Sequence, residues 1–123
     1  MFWSATGAMT LALAVMLGAF GAHALKGRLD AYQLGIYEKA VFYQFVHGLG
    51  LLVVSVLPRA GALSRESAAL VCALLLAGIV LFSGSLYVLA VTGTRAWGAI
   101  TPVGGVAFVA GWGVLAYVLA RGR

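Results

Sequence analysis

The sequence predicts an all-α integral membrane protein. Four helices form an up-down-up-down bundle, with a short interfacial segment between the first and the second. Three observations predict it. Charged residues make up 9% of the 123 residues and hydrophobic ones 63%, whereas a soluble domain carries about 25% charged residues; so few charges cannot cover a water-facing surface. The charges also gather in short groups: Lys26, Arg28 and Asp30; Glu38 and Lys39; Arg59, Arg65 and Glu66; Arg95; Arg121 and Arg123. Between the groups run four charge-free stretches, 1–25, 40–58, 67–94 and 96–120, each near or above the roughly 20 residues that span a bilayer core as a helix. In hydrocarbon only helices and closed barrels satisfy their backbone polar groups, and these runs lack the alternation over about 10 residues that barrel strands show.

The first helix covers about residues 3–25, with Trp3 as an interfacial anchor. Ala22-His23-Ala24 has the form of a signal-cleavage site, but no Lys or Arg precedes the apolar run, and the run is long for a signal core, so a span is the reading. Ala5, Ala8, Ala12, Val15, Met16, Ala19 and His23 share one side of this helix. Small residues on one stripe let a second backbone approach closely, so this side is expected to be the packing seam. Residues 26–36 form a polar connection in which Asp30 caps a short helix lying in the interface, carried by Leu29, Tyr32, Leu34 and Ile36.

The second helix is expected over about 37–57. At 100° per residue, Tyr37, Ala40, Gln44, His47, Gly48, Leu51 and Ser55 fall within an arc of roughly 100°. The deep polar groups therefore share a side, which should face other helices rather than lipid. Pro58 closes this helix, and Ser64 and Ser67 offer capping oxygens to a third over about 67–91. There Ser83 and Tyr87 share a face with Cys72, and Gly84 leaves a gap beside it. Thr92-Gly93-Thr94-Arg95 breaks the run, and Trp97 is placed as a belt aromatic. Thr101-Pro102 reads as N-cap and first position of a fourth helix over about 102–120, with Gly104, Ala107, Gly111, Val114 and Val118 on one packing stripe.

The net charge of +5 does not indicate nucleic acid, because the basic residues stand singly at helix ends and form no face. They read as anchors and topology signals. Short connections make neighbouring helices antiparallel, and an even helix count puts both termini on one side. Arg59, Arg65, Arg121 and Arg123 lie on that side, against Lys26, Arg28, Lys39 and Arg95 on the other. Discounting Lys39 as part of a helix leans the termini toward the cytoplasm.

His47 is the leading chemical candidate, since it lies ten residues into the second helix, about 15 Å from its start. An ionisable residue at that depth is a functional hypothesis by default. The alternative is a neutral imidazole bonded to a hydroxyl or carbonyl, with Tyr43, Ser83 or Tyr87 as partner. The candidate ligand-binding set is His47, Gln44, Tyr43, Ser83, Tyr87 and His23, the last near the water boundary where it could cap the helix end or meet headgroups. Haem between His23 and His47 is disfavoured by their different depths. Zinc on His23, His47 and Cys72 lacks the usual short ligand spacing, so no metal or cofactor is expected. Asp30, Glu38 and Glu66 sit at interfaces, and a Ser83–His47 pair has no orienting acid or nucleophile turn, so no catalytic residue is assigned.

Four segments resemble one family. Gly18-Ala19-Phe20-Gly21-Ala22-His23-Ala24-Leu25-Lys26, Tyr43-Gln44-x-x-His47, Ser83-Gly84-Ser85-Leu86-Tyr87, and Ile100-Thr101-Pro102-Val103-Gly104-Gly105 followed by Gly111-Trp112 are similar, in order, to the domain-of-unknown-function 423 family of small four-helix membrane proteins. The resemblance implies a membrane bundle in the bacterial inner membrane and supplies no substrate, cofactor or catalytic residue. The functional expectation is a non-enzymatic accessory, assembly or self-associating component of that membrane, in contact with lipid and with copies of itself or other membrane proteins. The alternative is a binder of a quinone, lipid or protonatable solute in a pocket around His47. A channel or transporter would need an oligomer, and no charged ring lies inside a span.

Overall fold

The computed structural model describes residues 1–122; Arg123, which the sequence sets at the water boundary beside Arg121, lies outside them. Four helices are long and apolar enough to cross a membrane: α1 (Phe2–Leu25), α2 (Ala31–Ala60), α3 (Arg65–Thr92) and α4 (Arg95–Arg121). No strand occurs among the described residues. α1 packs along α2, α2 along α3 and α3 along α4. The two middle helices are the more buried, and α1 and α4 flank them. Consecutive helices run antiparallel: Ser4 near the start of α1 bonds Ser55 near the end of α2 at 2.8 Å, and Tyr37 bonds the Leu17 carbonyl at the other end.

The helix starts follow from side-chain caps. Asp30 caps α2, its carboxylate accepting from Gln33 N at 2.7 Å while the Gln33 side chain accepts from Asp30 N. This reciprocal box fixes the first turn. α2 therefore begins at Ala31, and the short interfacial helix expected within residues 26–36 is, from Ala31 on, the first turns of α2 itself. Thirty residues rise about 45 Å against a core of about 30 Å, so the excess projects beyond the hydrocarbon. Ser64 caps α3 by accepting from Ser67 N. Gly61 and Gly93, at φ 73° and 72°, turn the chain after α2 and α3. Thr101 differs from expectation: α4 opens with a 3-10 stretch, Arg95–Ala99, and Thr101 is the first residue of the α-helical part that follows, its hydroxyl meeting Ser85 of α3 at 2.6 Å instead of capping. A longer-range partner wins over the local one.

The main core holds Leu51, Val54, Val71, Leu75, Phe108 and Leu115 from α2, α3 and α4. Glycines set the closest approaches. A Cβ on Gly104 would collide with the Phe82 backbone, and one on Gly7 would come within 3.0 Å of Leu52 N and 3.1 Å of the Gly48 carbonyl. Phe82 sits in a π-helical turn, Ile79–Ser83, inside α3. The α4 stripe of Gly104, Ala107, Gly111, Val114 and Val118 is buried or half-buried, as its small residues require.

α1 corrects the sequence reading by half a turn. Ala5, Ala8, Ala12, Val15, Met16, Ala19 and His23 are all exposed. The side facing α2 instead carries Gly7, Thr10, Ala14 and Gly21. Both sides of α1 are mostly small and apolar and each carries a polar residue, Thr10 inward and His23 outward, so neither periodicity nor polarity distinguishes them. Glycine allows closer contact than alanine, and the glycine side wins.

Candidate functional site

The deep polar residues of α2 divide between two neighbours. Gln44 points toward α1 and α3. Its Nε2 donates to the Thr10 carbonyl at 2.9 Å, and its Oε1 accepts from the Tyr87 hydroxyl at 2.6 Å. One amide thus ties three helices together, the interhelical use of polar groups that membranes favour. Ser83 donates to the Ala40 carbonyl at 2.8 Å, a second α3–α2 link. The Tyr37 ring stands edge-on to Tyr87 at 5.2 Å, and the Tyr37 hydroxyl donates to the Leu17 carbonyl at 2.5 Å. This end is closed by Gln33 Nε2 donating to the Ala90 carbonyl at 3.0 Å.

His47 and Tyr43 point the other way. The imidazole lies flat on Phe108 of α4, with ring centroids 3.5 Å apart and planes 13° apart, and Trp112 stands 5.7 Å away. Its Nδ1 meets the Tyr43 carbonyl one turn earlier on the same helix, at 2.8 Å. Neither Ser83 nor Tyr87 reaches it: those hydroxyls are taken by Ala40 and Gln44. Tyr43 packs against Phe82 at 4.4 Å. His47 is therefore a ring in an aromatic stack between α2 and α4, 5% exposed. His23 lies exposed in the π-helical turn that ends α1.

Of the six residues singled out in the sequence, Gln44, Ser83 and Tyr87 come together and His47 with Tyr43 form a separate group. The first three line a groove of about 370 Å³ between α1 and α3, walled by Leu13, Leu17, Leu76, Ile79 and Val80. Neither His47 nor Tyr43 lines it. Thr10 belongs to this site and was not singled out, because what it contributes is a backbone carbonyl. Tyr37 was legible only as a member of the inward arc. A second hollow of about 230 Å³ opens at the end holding the termini, lined by Trp3, Ser4, Ser55, Arg59 and Arg65 among others.

Fold and site together define a small multi-pass membrane protein whose buried polar side chains link its helices. The chain belongs to the family described as "Protein of unknown function (DUF423)", which matches residues 17–105. All four resembling segments fall within that range except the trailing Gly111-Trp112. Among similar proteins, the UPF0382 membrane protein YwdK of Bacillus subtilis is 50% identical over 107 residues, 86% of this chain and 85% of the relative. A UPF0382 membrane protein of Staphylococcus epidermidis is 50% identical over 109 residues, 89% of this chain and 87% of the relative. One from Staphylococcus haemolyticus is 47% identical over 106 residues, 86% and 84% of the two chains. No solved structure matches.

Proposed function

We propose that the protein is a non-enzymatic component of the bacterial plasma membrane that works by lateral association, first with copies of itself. The supporting observation is the outward face of α1. Ala5, Ala8, Ala12 and Ala19 stand exposed in a row on a helix whose opposite side already holds α2. Alanine faces let helix backbones approach closely, and such packing drives association where the hydrophobic effect is absent. A twofold contact through this one face is self-complementary. The carboxylates give no support to catalysis, since Asp30 serves as a helix cap and Glu38 and Glu66 are exposed. Cysteine crosslinking in native membranes tests the reading, in a Cys72→Ala background that removes the one native thiol. Ala12→Cys is expected to form disulfide dimers and Ala14→Cys, which faces α2, is not. Equal failure of both, with only monomer in native mass spectrometry, would reject it.

For the orientation we propose termini in the cytoplasm. Because α2 begins at Ala31, Lys39 sits well inside a helix and not in a loop. The remaining basic residues favour termini in the cytoplasm. Reporter fusions at the C-terminus check this.

The Gln44–Tyr87 pair under the groove favours a second reading, a lipophilic ligand lodged between α1 and α3. The Tyr87 oxygen and the second Gln44 amide hydrogen still have bonding capacity, and the surrounding walls are apolar. On this reading the ligand lies over Gln44, Ser83 and Tyr87, which line the groove, and not at His47, which does not. Retention of a quinone or lipid through gentle purification, lost on Tyr87→Phe, is the expected result.

A further inference from the structure

We infer that the open edge between α1 and α3 is a binding site for an anionic phospholipid, with the phosphate at Arg59 and Arg65 and an acyl chain in the groove below. The inference rests on the second reading above and names its ligand class.

The two hollows lie on one edge of the bundle. On α3, the terminal hollow uses Arg65, Ala68 and Ala69, and the groove uses Leu76, Ile79, Val80, Ser83, Gly84 and Tyr87. These recur every three or four residues, so they form a single stripe along the helix. Ala73, exposed and small, continues the stripe between the two. On α1 the same edge runs from Trp3 and Ser4 to Thr10, Leu13 and Leu17. The edge therefore passes from a basic, hydroxyl-lined mouth at the membrane boundary into an apolar trough, the same order of chemistry as a phospholipid.

The mouth carries uncompensated positive charge. Among the described residues neither Arg59 nor Arg65 has a carboxylate partner; Arg59 meets the Met1 sulfur, a neutral and weak acceptor that leaves the charge in place. Guanidinium groups bind phosphate as paired donors, and basic pockets between membrane helices at the boundary take lipid headgroups. The serines refine the fit. Ser55 donates to the Leu52 carbonyl at 2.7 Å, so the proton between Ser4 and Ser55 comes from Ser4. Both serine protons are used, and Ser4 is left as an acceptor for a headgroup hydroxyl such as that of glycerol. The opposite end is lined differently: one hollow there sets Arg95 beside Asp30, and the other holds Arg95 as its single arginine, with Tyr32, Leu89 and Gly98, where the mouth holds two.

The trough has an unobstructed wall. A Cβ added at Gly84 would meet nothing within 4 Å, and Gly84 has ordinary helical geometry, φ −59° and ψ −47°. Gly84→Leu therefore fills the groove without touching the arginines.

The test is native mass spectrometry of the purified full chain with phosphatidylglycerol, phosphatidylcholine, inorganic phosphate and a short-chain quinone, each in turn, with circular dichroism to verify helicity of every variant. Phosphatidylglycerol is expected to be retained about tenfold over phosphatidylcholine, about the factor that loss of one strong charge-assisted contact would remove. Arg59→Gln with Arg65→Gln should abolish that preference. Gly84→Leu should lower phospholipid retention with both arginines intact. Equal retention of the two lipids, or a preference untouched by the double substitution, overturns the inference. So does competition by inorganic phosphate with Gly84→Leu silent, since the site would then hold a free anion. If the quinone is retained and the anionic lipid is not, the groove remains a ligand site and only the lipid assignment fails; if neither is retained, both fail.

Discussion

The two edges of α3 are built from the same kinds of residue and end in opposite states. Toward α4 the edge is closed. Gly78 faces the Phe108 ring, Gly104 lies on the Phe82 backbone, and Gly111 sits against Leu75 and Leu74. Each glycine on one helix meets a large side chain or bare backbone on the other, so the surfaces interlock. Toward α1 the edge is open. Leu13 and Leu17 stand across a groove from Leu76 and Val80, and Gly84, the one glycine of α3 on this side, meets nothing. α1 and α3 are each held to α2 instead, through Gln44. Small residues close an interface only when a bulky partner or a backbone lies opposite; without one they leave a space.

That contrast can be broken at its closed side first. Gly104→Ala drives a methyl into the Phe82 backbone, and overpacking of this kind costs about 1–3 kcal/mol. It should give the largest fall in thermal stability of the detergent-solubilised protein. Tyr87→Phe comes next. It removes the proton that Gln44 accepts, and interhelical hydrogen bonds in membranes are worth about 0.6 kcal/mol on average, with a maximum near 1.7; a double-mutant cycle with Gln44→Leu should return a coupling in that range. His47→Phe should cost less. It keeps the stack on Phe108 and gives up only a bond to a carbonyl of its own helix. Its effect should be below about 0.6 kcal/mol by the same scale, and Tyr87-dependent ligand retention should be unchanged. Gly84→Ala sharpens the contrast with a change of opposite sign. With space around it and helical dihedrals, it should raise stability by about 0.5–1 kcal/mol through backbone propensity alone. A drop of the size seen at Gly104 would show that the α1–α3 edge is closed.

Asp30 was legible as a cap because capping is local, and the helix it starts runs on without a break into the span because Gln33 completes the box at its first turn. The inward arc of α2 was legible because Tyr37, Gln44 and His47 are polar in an apolar run. His47 drew attention by depth and ionisability, but depth does not say which neighbour a ring faces. Gln44 and His47 are separated by three positions on α2, and that rotation sends one to α1 and α3 and the other to α4. The outward alanines of α1 could not be told from the inward glycines, because its polar residues mark both sides, Thr10 the inward one and His23 the outward one.

The sequence alone determined that this chain has hydrocarbon as its solvent, how many times it crosses, and that its deep amide and imidazole turn inward. Those follow from transfer free energies summed over each segment, which depend on composition and not on neighbours. Only the tertiary structure decided which face of α1 packs, which edge of α3 stays open, and that Gln44 rather than His47 joins three helices. Those choices rest on the fit of one surface against another, at distances of a single methyl group, and no single helix contains that information.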